Sequence, residues 1–162
     1  MDSSKKQDAG QPRGVIETGP FGDGGGDGVY NLYPGSSTYV TKIEAWVGRA
    51  DNADVITGLK LYWADGTPSS IGGHPGDNIH SYEFKDDEVI DKMTVYTGWN
   101  LDRISFQTNR GGKFDHGGSH GYDHEISLGN GKMVGLKGKF DNQCDHNEML
   151  RLLRADLRSG KW

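Results

Sequence analysis

The fold is decided by a turn that runs into a strand, Gly98-Trp99-Asn100-Leu101-Asp102-Arg103-Ile104-Ser105-Phe106, and by a later glycine loop, Gly117-Gly118-Ser119-His120-Gly121. Moving back 45 positions, without gaps, places Ala53-Asp54-Val55-Ile56-Thr57-Gly58-Leu59-Lys60-Leu61 under the turn and strand. The same shift places Gly72-Gly73-His74-Pro75-Gly76 under the loop. Because apolar, turn and glycine positions coincide, the chain contains an internal repeat.

A third copy of the pattern is divided between the two ends of the chain. Gly22-Asp23-Gly24-Gly25-Gly26 is the first glycine loop, and Asp141-Asn142-Gln143-Cys144-Asp145, 43 positions after the Gly98 turn, is the last acidic turn. Three turns and three loops predict three similar sheets around a pseudo-threefold axis. The first and last segments of the chain would complete one sheet together.

The spacing of apolar residues predicts an all-β chain. Residues 40–47 alternate, with Ile43 and Ala45 on one face and Lys42 and Glu44 on the other. Further strands are expected near residues 15–16, 30–33, 58–63, 80–84, 92–97, 103–108, 124–128 and 132–137. Residues 149–157 suit a short helix or a strand, and the repeat favours the strand. Short strands with turns every ~8–12 residues predict a sandwich, barrel or prism, of which the repeat selects the prism.

Composition narrows the class of protein. The chain has 162 residues, which is enough for one domain with a core, and 26 of them are glycine, about twice the usual share. A net charge of −5 argues against nucleic acid as a partner, because phosphate binding requires a basic face. The single cysteine, Cys144, excludes an intrachain disulfide. No apolar run is long enough for a membrane span, and the first residues lack the apolar region of a secretory signal.

These residues and motifs resemble the jacalin-related lectin family. The Thr108-Asn109 pair and the run Met133-Val134-Gly135-Leu136-Lys137-Gly138 also look like that family. The resemblance covers residues 14–157 and leaves tails at 1–13 and 158–162, of which we expect the first to be disordered. It implies an all-β β-prism I fold with three Greek-key four-stranded sheets and pseudo-threefold symmetry.

The resemblance also implies where a sugar is held. In the family, a Gly-x-x-x-Asp turn and the last glycine of a neighbouring Gly-Gly-x-Gly-Gly loop bind one monosaccharide. This turn and loop are best kept in one copy of the repeat, which supplies the candidate residues Gly98, Trp99, Asn100, Leu101, Asp102 and Gly121. A carboxylate accepts charge-assisted hydrogen bonds from two adjacent hydroxyls. Backbone N–H groups of the turn donate, glycine lets the opposing backbone approach the ligand, and an aromatic ring covers the apolar face of the sugar.

The other two copies depart from the motif. The family's usual primary site would be formed by Gly26, Asn142, Gln143 and Asp145, but Asp141 stands where glycine is expected. The remaining copy keeps Gly76 in its loop but has Thr57 in place of the acid and Ala53 in place of the glycine. Gly48-Arg49-Ala50-Asp51-Asn52 is a shifted alternative to that turn. We therefore expect occupancy to fall from the Gly121 site to the Gly26 site to the Gly76 site.

The residues favour neither metal binding nor catalysis. Asp115, His116, His120, Asp123 and His124 contain metal-ligand types, but their spacing matches no zinc motif, so a solvated loop is favoured and no metal or other cofactor is expected. Asp141 and Asp145 resemble an acid/base pair on paper. Glycosidase chemistry needs two carboxylates across a cleft, however, and these lie in one small turn, so the chain is not expected to be an enzyme.

The sequence therefore predicts a non-catalytic carbohydrate-binding protein. The resemblance favours mannose or glucose, because galactose-specific relatives depend on a new amino terminus beside the sugar, and here Gly19 lies within a continuous loop. The alternatives are a galactose-type lectin, or a β-prism interaction domain that has lost sugar affinity. Single sugar sites are shallow, so we expect a homodimer or higher homo-oligomer to supply avidity. Glycans are the expected partners, without nucleic acid or membrane insertion.

Overall fold

The computed structural model describes residues 15–21, 28–34, 38–50, 52–141 and 149–158. Within these ranges every regular element is a β-strand. In chain order the strands are β1 (Val15–Thr18), β2 (Gly28–Leu32), β3 (Val40–Ala50), β4 (Ala53–Trp63), β5 (Pro68–Gly72), β6 (Asn78–Glu83), β7 (Ile90–Thr97), β8 (Leu101–Thr108), β9 (Lys113–Gly117), β10 (Tyr122–Glu125), β11 (Met133–Asp141) and β12 (Met149–Arg158). No described segment forms a helix able to cross a membrane.

The strands form three antiparallel four-stranded sheets with one shared plan. Their orders are β10-β7-β8-β9, β5-β4-β3-β6 and β1-β12-β11-β2. In each sheet a central hairpin is flanked by two further strands, and in the third sheet those strands come from the start of the chain. Val15 pairs with Arg158 across β1 and β12, so the prediction that the two chain ends complete one sheet is confirmed. The all-β prism with three Greek-key sheets is likewise confirmed.

The core lies between the three sheets and is built by period-two alternation. Ile43 and Ala45 of β3 are fully buried, whereas Lys42 and Glu44 alternate with them on the outer face and are ion-paired at 3.7 Å. The inner faces of all three sheets contribute buried aliphatic and aromatic side chains to one cluster. Burial of this apolar surface is the main stabilising term of the fold.

Two strands were not predicted. Pro68–Gly72 and Lys113–Gly117 form β5 and β9, which are polar edge strands whose few apolar residues give no alternation to read. The strand expected at residues 124–128 begins earlier and ends at Glu125. The ambiguous segment at residues 149–157 is strand β12, as the repeat predicted. Arg158 belongs to this strand, one residue beyond the expected domain end, while residues 1–13 and 159–162 lie outside the described ranges.

A buried carboxylate ties the β6–β7 connection to the β8–β9 turn. Glu88 accepts hydrogen bonds from the hydroxyls of Tyr82 and Thr108 and from the Lys85 N–H, the last at 2.8 Å. Burial opposes the charge of Glu88, but the hydrogen bonds from Thr108 and Tyr82 outweigh that penalty and lower the pKa of this carboxyl. Asn109 Oδ1 accepts from the Val89 N–H at 2.9 Å. The Thr108-Asn109 pair therefore fastens this end of the sheet.

Glu88→Ala should lower the free energy of unfolding by about 3 kcal/mol, because the buried Thr108 hydroxyl and the half-buried Tyr82 hydroxyl lose their acceptor, at roughly 1–3 kcal/mol for each unsatisfied group. Denaturant titration measures this loss. Asp86→Ala, an exposed acid in the same connection, is the matched control and should stay within about 0.5 kcal/mol of the parent. Equal stability of the two variants would contradict this role for Glu88.

Candidate functional site

A β-bulge places Asp102 at the end of the β7–β8 hairpin. Tyr96 pairs with Arg103 and Thr97 pairs with Leu101, so Asp102 is left without a partner residue across the ladder. An extra residue of this kind bends its strand and redirects its side chain. The Asp102 residue is only 5% exposed, and its carboxylate lies beside Gly98 and Gly121.

The turn from Gly98 to Asn100 closes the hairpin. The Gly98 N–H donates to the Asn100 carbonyl at 3.1 Å. A Cβ added to Gly98 would lie 3.6 Å from the Gly121 Cα and 3.9 Å from Asp102 Oδ2. The turn, the loop glycine and the carboxylate therefore lie next to one another.

The loop from Gly117 to Gly121 is held against Asp102 by its backbone. The Gly118 N–H donates to the Asp102 carbonyl at 2.7 Å. A Cβ on Gly118 would collide with the backbone of Asp54, at the tip of the β3–β4 hairpin. Gly121 has φ +88° and would press a Cβ into the Asp102 carboxylate. Glycine is thus required at both positions, by contact at Gly118 and by contact and backbone conformation at Gly121.

Arg103 joins the strand that carries Asp102 to the same loop. Its guanidinium donates to both carboxylate oxygens of Asp115 on β9, at 2.7 and 2.8 Å, and to the Gly118 carbonyl at 3.4 Å. The hydrogen bond from Arg103 lowers the pKa of Asp115. The guanidinium also lies 5.7 Å from the centre of the Tyr96 ring. These contacts fix the loop before any ligand arrives.

The Asp102 carboxylate is largely, but not fully, withdrawn from solvent. Across the described ranges no hydrogen bond to its side chain is present. Burial raises the pKa of Asp102 above its ordinary value of 3.8, and the nearby positive potential of His120 offsets part of that rise. A buried charge without hydrogen bonds is costly for the fold. Such groups are common at functional sites, where a ligand supplies the missing donors.

Two further polar and aromatic features surround the carboxylate. Asn100 Oδ1 is buried and has no hydrogen-bond partner in the described part of the chain. Trp99 is 66% exposed and Tyr122, directly after Gly121, is 76% exposed. Tyr122 pairs with Thr97 across β10 and β7. Sequence reasoning missed Tyr122, although its position next to the loop glycine was a signal that could have identified it.

Asp115, His116 and His124 of the candidate metal-ligand group have separate partners. Asp115 is paired with Arg103, His116 stacks on His80 with ring centroids 3.9 Å apart, and His124 Nε2 lies 2.9 Å from Thr97 Oγ1. Burial, together with the neighbouring His80, lowers the pKa of His116. In the described part of the chain, no three His, Cys, Asp or Glu side chains are grouped so that they could hold a metal ion.

The second copy of the site differs from the first. Thr57 is buried in the β3–β4 sheet. Gly76 faces its own loop, because its N–H donates to His74 Nδ1 at 3.2 Å and a Cβ there would meet the His74 ring. The third copy is not described: Gly26, Asn142, Gln143 and Asp145 lie outside the described residues.

Comparison with known proteins identifies the class that this fold and site define. The family model of the jacalin-like lectin domain matches residues 18–146. The chain therefore belongs to the jacalin-like lectin domain family, a class of carbohydrate-binding proteins. No curated protein matches the sequence.

Solved structures share the fold at low sequence identity. A mannose-specific jacalin-related lectin from Morus nigra, solved with mannose, is 20% identical with a TM-score of 0.67, covering 94% of this chain and 99% of that one. A mannose-binding jacalin-related lectin from Ananas comosus is 19% identical with a TM-score of 0.66, covering 90% and 99%. A lamprey immune protein is 18% identical with a TM-score of 0.67, covering 92% of this chain. The chain spans only 46% of the lamprey protein.

Proposed function

We propose that this protein is a non-catalytic lectin that binds mannose-type glycans between the Gly98–Asp102 turn and Gly121. The observation that carries the proposal is the largely buried Asp102 carboxylate, which accepts no hydrogen bond from the described residues and lies at the meeting point of the turn and the loop. Such a carboxylate stabilises a ligand that presents two neighbouring hydroxyl donors, because each charge-assisted bond replaces a missing one.

The surroundings of Asp102 suit a neutral pyranose. The hydrogen-bonded loop at Gly118 and the Arg103–Asp115 pair hold the site in place, so little conformational entropy is lost on binding. The backbone of Trp99 and Asn100 lies at the hairpin end, and its N–H groups are the donors that the proposal assigns to the sugar. The exposed Trp99 ring supplies an apolar surface for the C–H face of the sugar.

The mannose preference is supported by two solved relatives. The Morus nigra and Ananas comosus lectins with the same fold are described as mannose-specific and mannose-binding. We extend that preference to this chain. We also propose a homodimer or higher oligomer, since avidity from weak single sites requires several of them on one particle.

A glycan array with the purified protein tests the proposal. High-mannose glycans should be retained over galactose-terminated ones, and EDTA should leave the signal unchanged, because the contacts proposed are direct hydrogen bonds. Binding only to galactose-terminated glycans would overturn the mannose assignment. Absence of any glycan signal at high protein concentration would favour an interaction domain that has lost sugar affinity.

Sugar affinity should fall on acidification before an ordinary aspartate titrates. The charged form of Asp102 accepts two hydroxyl donors, and burial raises its pKa above 3.8, so protonation begins at a higher pH than usual and removes an acceptor. Isothermal titration with methyl α-mannoside between about pH 7 and pH 4 measures this, with circular dichroism to show that the fold persists. A constant affinity over that range would contradict the role of the carboxylate.

A further inference from the structure

The β3–β4 sheet repeats the geometry of the β7–β8 sheet position by position. Trp46 pairs with Gly58 and Val47 with Ile56, which leaves Thr57 unmatched at a bulge. Asp102 is unmatched at the same point of its own sheet. Gly72 and Gly117 make the same contact, since a Cβ on either would strike the carbonyl of Thr57 or Asp102 respectively.

The strand registers also identify the counterparts of the two site glycines. Thr97 pairs with Tyr122 and Val47 pairs with Asn78. The residues after Thr97 and Val47 are Gly98 and Gly48. The residues before Tyr122 and Asn78 are Gly121 and Asp77. We call the turn and loop around Asp102 the first unit, and the turn and loop around Thr57 the second unit. At the position where the loop of the first unit has Gly121, the loop of the second unit has the carboxylate of Asp77.

The Asp77 carboxylate lies between Thr57 and Gly48 of the second unit. The Thr57 hydroxyl donates to Asp77 Oδ2 at 2.5 Å. A Cβ on Gly48 would come within 2.6–2.8 Å of the three Asp77 carboxylate atoms. In the first unit the corresponding place, beside Gly98 and Gly121, has the Asp102 carboxylate at its edge, 3.9 Å from an added Gly98 Cβ, and receives no side chain from the loop, because Gly121 stands where the second unit has Asp77.

We infer that the β3–β4 sheet holds a second carbohydrate site in closed form, in which the Asp77 side chain occupies the place of a ligand hydroxyl. This inference rests on the proposed sugar site at Asp102. The acid and its hydroxyl partner have changed sides: the first unit offers a strand carboxylate to a ligand hydroxyl, and the second pairs a strand hydroxyl with a loop carboxylate. Of the two units whose turns and loops are described, only the Asp102 unit has glycine rather than a carboxylate at this loop position, so a single chain presents one of the two to glycans.

The β3–β4 hairpin modifies the second unit further. It continues past Gly48, with Arg49 paired to Asp54 and Ala50 to Ala53, whereas the β7–β8 hairpin turns directly after Gly98. The turn N–H groups are consequently carried away from Gly48. A reopened site would therefore bind more weakly than the Asp102 site, through the carboxylate and the loop.

Exchange of the two side chains tests the inference. In an Asp102→Asn background, Thr57→Asp combined with Asp77→Gly restores the acid to the strand and glycine to the loop. We expect methyl α-mannoside to bind this variant at least tenfold more tightly than the Asp102→Asn parent. A folded exchange variant with the affinity of its parent would overturn the inference.

Two further measurements separate this inference from the proposed function. In amide-detected NMR of the wild-type protein, methyl α-mannoside should shift Trp99, Asp102 and Gly121 and leave Gly48 and Thr57 unchanged. Equal shifts at Gly48 and Thr57 would show an open second site and overturn the inference, whereas no shift at Asp102 would count against the proposed function instead. Without any sugar, Thr57→Val and Asp77→Asn should lower Tm non-additively, and additive changes would contradict the closing contact.

Discussion

Asp102→Asn should abolish measurable monosaccharide binding while raising the Tm of the free protein. The amide keeps the shape of the side chain but removes the charge that accepts two hydroxyls. Two charge-assisted bonds at roughly 1.5–3 kcal/mol each correspond to about a 100-fold loss of affinity or more. Stability should change in the opposite direction, because burial raises the pKa of the Asp102 carboxyl, so that its charged form opposes folding at neutral pH.

Isothermal titration with methyl α-mannoside and thermal unfolding together measure both effects. Asp123→Asn is the matched control, since Asp123 is an exposed acid two residues after Gly121. That variant should retain wild-type affinity and Tm. If Asp102→Asn binds sugar as well as the control does, the site lies elsewhere on the prism.

Gly121→Ala should cause a comparable loss of affinity by a steric route. Gly121 has φ +88° and its added Cβ would meet the Asp102 carboxylate. The side chain cannot turn away, because Cβ is fixed by the backbone, so either the loop or the carboxylate must move. Either movement takes the carboxylate away from the two sugar hydroxyls that it is proposed to bind. We therefore expect affinity to fall by about 100-fold.

Gly66→Ala provides the control for backbone strain alone. Gly66 has φ +93° and no atom within 4 Å of an added Cβ. Both variants therefore share the cost of a left-handed alanine, about 1–2 kcal/mol, but only Gly121→Ala alters the site. Surface plasmon resonance on a mannose-bearing surface compares them. Equal affinity of the two variants would mean that Gly121 does not contact the ligand region.

The fold could be predicted because each copy of its repeat has the same local spacing of apolar, turn and glycine residues. The ungapped shift between Asp102 and Thr57 matches the strand registers, since each residue lies at the bulge of its own hairpin. The last segment was resolved in favour of a strand by the same repeat. Alternation of apolar residues was a sufficient guide for the central hairpins, whereas the polar edge strands β5 and β9 carried too few apolar residues to be recognised.

The residues of the second unit could not be assigned from the ungapped repeat, because its loop and its hairpin are longer than those of the first unit. The β5–β6 loop, residues 73–77, is one residue longer than the β9–β10 loop, residues 118–121. The ungapped shift therefore pairs Gly76 with Gly121, whereas the register pairs Asp77 with it. The hairpin beyond Gly48 is longer as well, so Gly48 rather than Ala53 corresponds to Gly98. The sequence offers the turn that begins at Gly48 as an alternative, and the paired strands select it and place Asp77 opposite Gly121.

The supporting contacts were also beyond reach of the sequence. The Arg103–Asp115 pair and the approach of Asp54 to Gly118 join segments that are distant in the chain or in different sheets. Nothing in the local spacing of these residues indicates that they meet. Their role in holding the glycine loop appears only once the three sheets are assembled.

Crystals soaked with graded concentrations of mannose test the central claim most directly. We expect density for one pyranose to appear first between the Gly98 turn and Gly121, with two hydroxyl oxygens within hydrogen-bond distance of the Asp102 carboxylate. Density that appears first beside Gly48 and Thr57, or sugar bound elsewhere while Asp102 has no ligand, would contradict it.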